Sequence, residues 1–298
     1  MSRALVLGGG GPVGIAWESG LLAGLAKAGV DLGQADFILG TSAGSFVGAR
    51  LAMGAETATL ADAIVADAQS PVRPISRGGR PAADLSKLMR LMAAAQAAER
   101  DPEAKRAEVG AYALSADTMD EDEFIASFGR AFASLPETSW PERGFACTAV
   151  DAVTGAFQLW TRESGIGVTR AVASSCAVPG VYPPIRFGGR RWIDGGIRSA
   201  TNADLASGHE VVVVISVMPR ALTPGGALVR AFSGLEAEVE RLRNGGAEVV
   251  VLVPDEASQT AMGPNLMDFR MRADAARAGL AQGASQATSW TTSWSLTP

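Results

Sequence analysis

The feature that constrains this chain first is a pattern repeated near its start: a short apolar run, a glycine-rich turn, then a helix. Residues 3–7 form the first apolar run and pass directly into Gly8-Gly9-Gly10-Gly11-Pro12. Residues 15–28 then carry Leu21, Leu22 and Leu25 at helical spacing before Gly29. The order recurs at residues 36–39, which enter Gly40-Thr41-Ser42-Ala43-Gly44 and continue as small and apolar residues through Met53. Residues 211–217 and 249–253 are continuous apolar runs rather than alternating ones, which implies a sheet covered on both faces. The fold class expected is therefore α/β.

Between these parts the texture varies. From 56 to 135 the chain is alanine-rich and helix-favouring, with segments at 82–100 and 119–133 flanking a Pro/Arg/Gly stretch at 71–81. A helical insertion or cap over the sheet is expected there. Residues 145–150 and 156–161 flank a turn-like spacer at 151–155 and read as a hairpin. Residues 190–193 lead into Asp194-Gly195-Gly196, and 228–243 form a helix stopped by Gly245. The tail from 284 to 298, with Trp290 and Trp294, has no clear period and is expected to be peripheral. At 298 residues, 47% of them hydrophobic, the whole is expected to be one domain.

Composition removes several function classes. A net charge of −5 without a long basic run argues against a nucleic-acid partner. Cys147 and Cys176 are the two cysteines, far apart and without zinc-ligand spacing, so no disulfide framework or metal site is expected. The first residues lack the pattern of a secretory signal, and no apolar run approaches the roughly 18 to 20 residues needed to cross a bilayer. A cytoplasmic protein is expected, with contact at a membrane surface still open.

Three places carry chemistry. Residues 40–44 fit G-x-S-x-G, in which small neighbours let a strand turn sharply into a helix and present the Ser42 hydroxyl at the helix N-terminus. An N-capping serine in a tight turn would look the same. The Gly8 to Gly11 loop can aim backbone N–H groups at an oxyanion or hold a pyrophosphate, or serve only as a turn. The spacing of Gly9, Gly11 and Gly14 loosely matches a dinucleotide loop, but Leu39 stands where that motif would end its second strand in an acidic residue. Asp194 closes an apolar stretch and is followed by two glycines, which suits a close approach to Ser42 or a simple Asp-Gly-Gly turn. His209, the single histidine, sits just before the 211–217 run, at the sheet edge opposite the loops that hold Ser42 and the glycines. It is expected to play no part. Burial could raise the pKa of Asp194 toward neutrality and so fit it to act as a base.

Together, residues 8–14, residues 40–44, the run Ala173-Ser174-Ser175-Cys176-Ala177-Val178-Pro179-Gly180 with Tyr182-Pro183-Pro184, and Asp194-Gly195-Gly196 resemble the patatin-like phospholipases, in order and across most of residues 3–255. The resemblance implies a three-layer α/β/α sandwich with a mostly parallel central sheet. It implies cleavage of lipid or other carboxylic esters, with no metal or organic cofactor and a lipid or small ester as substrate. It also implies Ser42 as nucleophile, Asp194 as base, and an oxyanion hole from Gly9, Gly10 and Gly11. Two departures stand out: Val13 replaces the Arg or Lys common in the family, and Pro12 has no N–H to offer. A histidine-dependent esterase, a nucleotide-binding module and a catalytically silent relative are the competing readings.

Overall fold

The computed structural model describes residues 1–67, 101–132, 135–218 and 227–290, together with 87, 88, 90, 91, 94 and 294. Its strands are β1 (Arg3–Leu7), β2 (Phe37–Gly40), β3 (Gly144–Asp151), β4 (Phe157–Trp160), β5 (Ile185–Phe187), β6 (Arg190–Asp194), β7 (Val211–Ile215) and β8 (Glu248–Leu252). The longer helices are α1 (Gly11–Lys27), α2 (Ala43–Ala52), α3 (Pro102–Ser115), α4 (Glu121–Ser127), α5 (Val168–Ser175), α6 (Ala227–Asn244), α7 (Glu256–Met262) and α8 (Arg272–Ala287). The strands form one sheet in the order β5-β6-β3-β2-β1-β7-β8, with β4 also paired to β3. The run from β3 through β2, β1 and β7 to β8 is parallel, whereas β4 and β6 lie antiparallel to β3 and β5 lies antiparallel to β6.

Side-chain alternation along buried strands builds the layers. Leu5 and Leu7 of β1, with Val211, Val213 and Ile215 of β7, point into a core shared with α1, α2, α5 and α8. Ala4 and Val6, with Val212 and Val214, point the other way, against Leu242 of α6 and the turn holding Ala203 and Ala206. Every one of these side chains is buried. Helix α3 packs Val109 and Ala113 over Val150 and Ile193, and Arg106 ties it to the 151–155 turn by donating from Nε to Gly155 O at 2.6 Å. The result is a three-layer α/β/α arrangement with a mostly parallel sheet. Of the expected insertion, the 71–81 stretch and most of 82–100 lie outside the described residues.

The closest helix pair is α1 with α8. A Cβ placed on Gly20 or Gly24 would overlap carbonyl oxygens of Ala276 or Leu280, and one on Gly279 or Gly283 would overlap those of Trp17 or Leu21. Two glycines at a spacing of four on each helix thus bring the backbones into contact. Helix α8 therefore continues through Ala287, into the segment from 284 that was expected to be a peripheral tail. Trp294, farther along that tail, is buried and donates from Nε1 to Asp31 O at 3.3 Å.

Gly24→Ala and Gly283→Ala should each force the two helices apart and lower the melting temperature by about 2–8 °C, the range expected for overpacking. Thermal unfolding of both variants checks this, and an unchanged transition in both would remove the backbone contact from the account.

Candidate active site

The site is built where β2 runs out. Between Gly40, the last strand residue, and Ala43, the first of α2, the chain has two residues in which to reverse into a helix. Ser42 does so at φ 51° and ψ −116°, a region that L-residues rarely occupy and that costs on the order of 1–3 kcal/mol. The glycines of G-x-S-x-G make the turn possible by being small: a Cβ on Gly40 would stand 2.6 Å from Gly44 O, and one on Gly44 would overlap Leu7 O. The Ser42 backbone is tied on both sides. Its N–H donates to Ser175 Oγ at 3.0 Å, and its carbonyl accepts from Ser45 Oγ at 2.6 Å and Cys176 Sγ at 3.1 Å.

Asp194 arrives from an unexpected direction. Cys147 of β3 pairs with Gly40 on one edge and Trp160 on the other, and Ala149 pairs with Gln158 on that second edge and with Asp194. A strand has two hydrogen-bonding edges, so β2 and β6 must share one of them. They meet end to end: β2 climbs to Gly40 opposite Cys147, and β6 descends to Asp194 opposite Ala149. Ser42, two residues past Gly40, therefore stands level with Asp194, and Ser42 Oγ donates to Asp194 Oδ2 at 2.6 Å.

Both side chains are buried, Ser42 at 6% exposure and Asp194 at 5%. Burial raises the Asp194 pKa to about 6, against the lowering effect of hydrogen bonds from Ser42 Oγ and from Gly196 N at 2.7 Å. The carboxylate is thus ionised at neutral pH yet basic enough to take a proton. Asp194 N donates to Ala177 O at 3.1 Å, which anchors the aspartate to the run that follows α5.

The glycine loop faces the same place. A Cβ on Gly9 would lie 3.3 Å from Ser42 Cβ, so the loop passes directly beside the serine. Gly9 departs from its expected role, because its N–H is already donated to Ala200 O at 2.8 Å. No local pattern could reveal this, since Ala200 belongs to the segment after Asp194-Gly195-Gly196. The N–H groups of Gly10 and Gly11 find no acceptor among the described residues, and neither does that of Ala43, which sequence reading did not single out.

With this geometry in view, a family model described as patatin-like phospholipase matches residues 5–207, more than half of the chain. The chain belongs to the patatin-like phospholipase family. Membership places it among lipid hydrolases. No curated protein matches it. Among solved structures it is similar to VipD from Legionella pneumophila at TM-score 0.46 and 14% identity, over 97% of this chain and 67% of that one. It is also similar to the type III effector protein ExoU at TM-score 0.37 and 18% identity, over 96% of this chain and 53% of that one, so it spans about half of ExoU.

This patatin-like site has supports that the sequence did not advertise. Thr41 Oγ1 lies 3.0 Å from Thr148 Oγ1 and accepts from Asn202 Nδ2 at 3.0 Å, which joins the serine turn, β3 and the loop after Asp194. Gly195 is required by the same packing, because a Cβ there would overlap Thr148. His209 lies elsewhere. It stacks on Phe37, with ring centroids 5.3 Å apart and planes at 5°, and Phe37 opens β2 at the end opposite Ser42. Cys147 and Cys176 are both free and buried. Among the described residues no group of three or more His, Cys, Asp or Glu could hold a metal ion, and no helix is long and apolar enough to cross a membrane.

Glu18 is a second buried carboxyl that sequence reading passed over. It lies on α1 with no exposure, and neither carboxyl oxygen has a hydrogen-bond partner among the described residues. Burial raises its pKa well above the ordinary 4.5 and outweighs the opposing effect of the Gly8 N–H, itself donated to Ile215 O. The folded protein therefore holds a proton there that the unfolded chain releases, and stability from this group falls as pH rises above about 4.5. Glu18→Gln should match the parent in melting temperature near pH 4 and exceed it increasingly toward pH 8. A difference in melting temperature that stayed constant across that range would show that Glu18 is not a buried titrating group.

Proposed function

We propose that this patatin-like protein is a serine acyl hydrolase that cleaves carboxylic esters of lipids through a Ser42/Asp194 dyad. The observation that carries the reading is the 2.6 Å hydrogen bond from Ser42 Oγ to Asp194 Oδ2, made at a strained turn and buried from water. In the first step Ser42 Oγ attacks the ester carbonyl carbon while its proton passes to Asp194 Oδ2. The carbon–oxygen bond to the alcohol breaks, and the departing alcohol takes that proton. Water then attacks the acyl-enzyme, giving its proton to Asp194, which returns it to Ser42 as the carboxylic acid leaves. The N–H groups of Gly10 and Gly11, with that of Ala43 beside the nucleophile, are the donors available to the oxyanion. Each such donor contributes about 3–4 kcal/mol to the transition state in comparable sites. A lipid substrate would bring this site to a lipid–water surface.

A base with pKa about 6 fixes the pH dependence. Protonated Asp194 cannot accept the serine proton, so kcat/KM toward an ester substrate should be flat above pH 7. Below about pH 6 it should fall roughly tenfold per pH unit. A profile that stayed flat down to pH 4.5 would require another base.

Ser42→Ala and Asp194→Asn should each lower turnover by about 10³-fold or more while the far-UV circular dichroism and melting transition stay cooperative. A fluorophosphonate probe should modify the parent at Ser42 alone, as read by mass mapping of the labelled peptide. Full turnover by Asp194→Asn would falsify the dyad.

His209→Ala should keep ester hydrolysis within about twofold of the parent, because the ring sits at the opposite end of β2 and touches none of the proposed machinery. A folded His209→Ala protein without activity would bring a histidine-dependent mechanism back.

A further inference from the structure

The loop after Asp194 bonds to the serine turn, the glycine loop and the aspartate turn, and a residue beyond the family match, which ends at 207, holds that loop. Asn202 has a left-handed backbone, at φ 52° and ψ 34°, which a residue with a side chain rarely adopts. Its Nδ2 donates to Thr41 Oγ1 at 3.0 Å and to Gly195 O at 3.3 Å. One amide thus bridges the residue before Ser42 and the residue after Asp194. Arg198 Nη1 donates to Asn202 Oδ1 at 2.7 Å, which sets the end of the amide that faces Thr41. Two residues before Asn202, Ala200 O takes the Gly9 N–H at 2.8 Å. The residues on either side of Asn202 share a single acceptor. Thr201 Oγ1 donates to Glu238 Oε2 at 2.7 Å, and Ala203 N donates to the same oxygen at 2.9 Å. Glu238 lies on α6 and is buried, at 3% exposure.

We infer that Glu238 is a positioning residue for ester hydrolysis: by bonding both neighbours of Asn202, it fixes the turn from which Asn202 and Ala200 hold the serine turn and the glycine loop in place. The assignment rests on the ester-hydrolase reading above. A left-handed asparagine has backbone conformations of lower energy open to it, and it persists only where its surroundings fix it. Relaxing the turn would swing Nδ2 away from Thr41 and carry Ala200 O away from Gly9. Glu238 opposes that movement, because it would strand a buried hydroxyl and a buried N–H without their acceptor. The reacting groups tolerate little displacement. A shift of about 1 Å can lower a rate on the order of 100-fold even when it originates far from the chemistry.

The test compares kcat per reactive serine in the whole protein and in Glu238→Met, Thr201→Val and Thr201→Ser. The substrate is p-nitrophenyl butanoate, and a small fluorophosphonate, taken to completion, counts the serines that react. Counting sites separates two roles: a residue that only stabilises the fold changes how many molecules are active, whereas a positioning residue changes the rate of each one. Glu238→Met keeps the length of the side chain and removes the acceptor. It should lower kcat per labelled serine by about 10- to 100-fold, with KM within about twofold of the parent and slower labelling of Ser42. Thr201→Val should lower kcat per labelled serine in the same way, and Thr201→Ser, which returns the hydroxyl, should restore it. That pair decides the matter if Glu238→Met does not fold. The parent's kcat per labelled serine in either Glu238→Met or Thr201→Val overturns the assignment. So does a loss carried by KM alone, or a Thr201→Ser protein as slow as Thr201→Val. A parent protein that hydrolyses no ester and takes no label overturns the ester-hydrolase reading itself, and this assignment with it.

Discussion

The rest of the site depends on one edge of β3. Because β2 and β6 occupy that edge end to end, the final residue of one and the turn after the other are forced to the same level, and no hinge or long loop is needed to bring Ser42 to Asp194. The price is strain: a non-glycine residue at φ 51° and a carboxylate in a water-poor interior. Both are held by surroundings that leave little freedom. The Ser42 backbone is bonded on its N–H and carbonyl sides, and the small residues at 40, 44 and 195 let neighbouring backbones come near enough to hold the turn.

Buried charge is handled in two ways within a short stretch of structure. Asp194 keeps its charge near neutrality because a hydroxyl and a backbone N–H offset part of the burial. Glu18 has only the Gly8 N–H, itself donated to Ile215 O, to set against burial, and its pKa is raised well above the ordinary value. The same low-polarity interior therefore produces a base ready to accept a proton and a carboxyl that is silent at the same pH. The number of hydrogen bonds to the charged form makes the difference.

Local chemistry made much of the fold legible. The runs at 3–7, 36–39, 211–217 and 249–253 supply strands β1, β2, β7 and β8 because continuous apolar residues bounded by glycine or polar turns can be satisfied only inside a covered sheet. Leu228 to Arg243 lies within α6 because its helical period closes at Gly245. Other parts were not legible. Helix α8 is poor in large apolar residues; it forms because glycines at 279 and 283 allow it to lie on α1, and that partner is some 250 residues away in sequence. Ser175, Thr148 and Asn202 are ordinary polar residues until the chain folds, when each meets the serine turn.

Sequence alone marked a serine at a tight strand-to-helix turn and a glycine loop after the first strand, because small residues at those places suit a sharp bend, and the family resemblance implied that the two act together. It also marked Asp194, followed by two glycines, as a residue able to approach. Tertiary structure decided the rest. It set β6 antiparallel on the edge that β2 vacates, directed Gly9 N–H to Ala200 O and away from any substrate, and laid Met267 over Gly11. These contacts join residues far apart in sequence, from Ala149 with Asp194 to Gly11 with Met267, and their relative placement is set by strand register and helix packing, which no local pattern encodes.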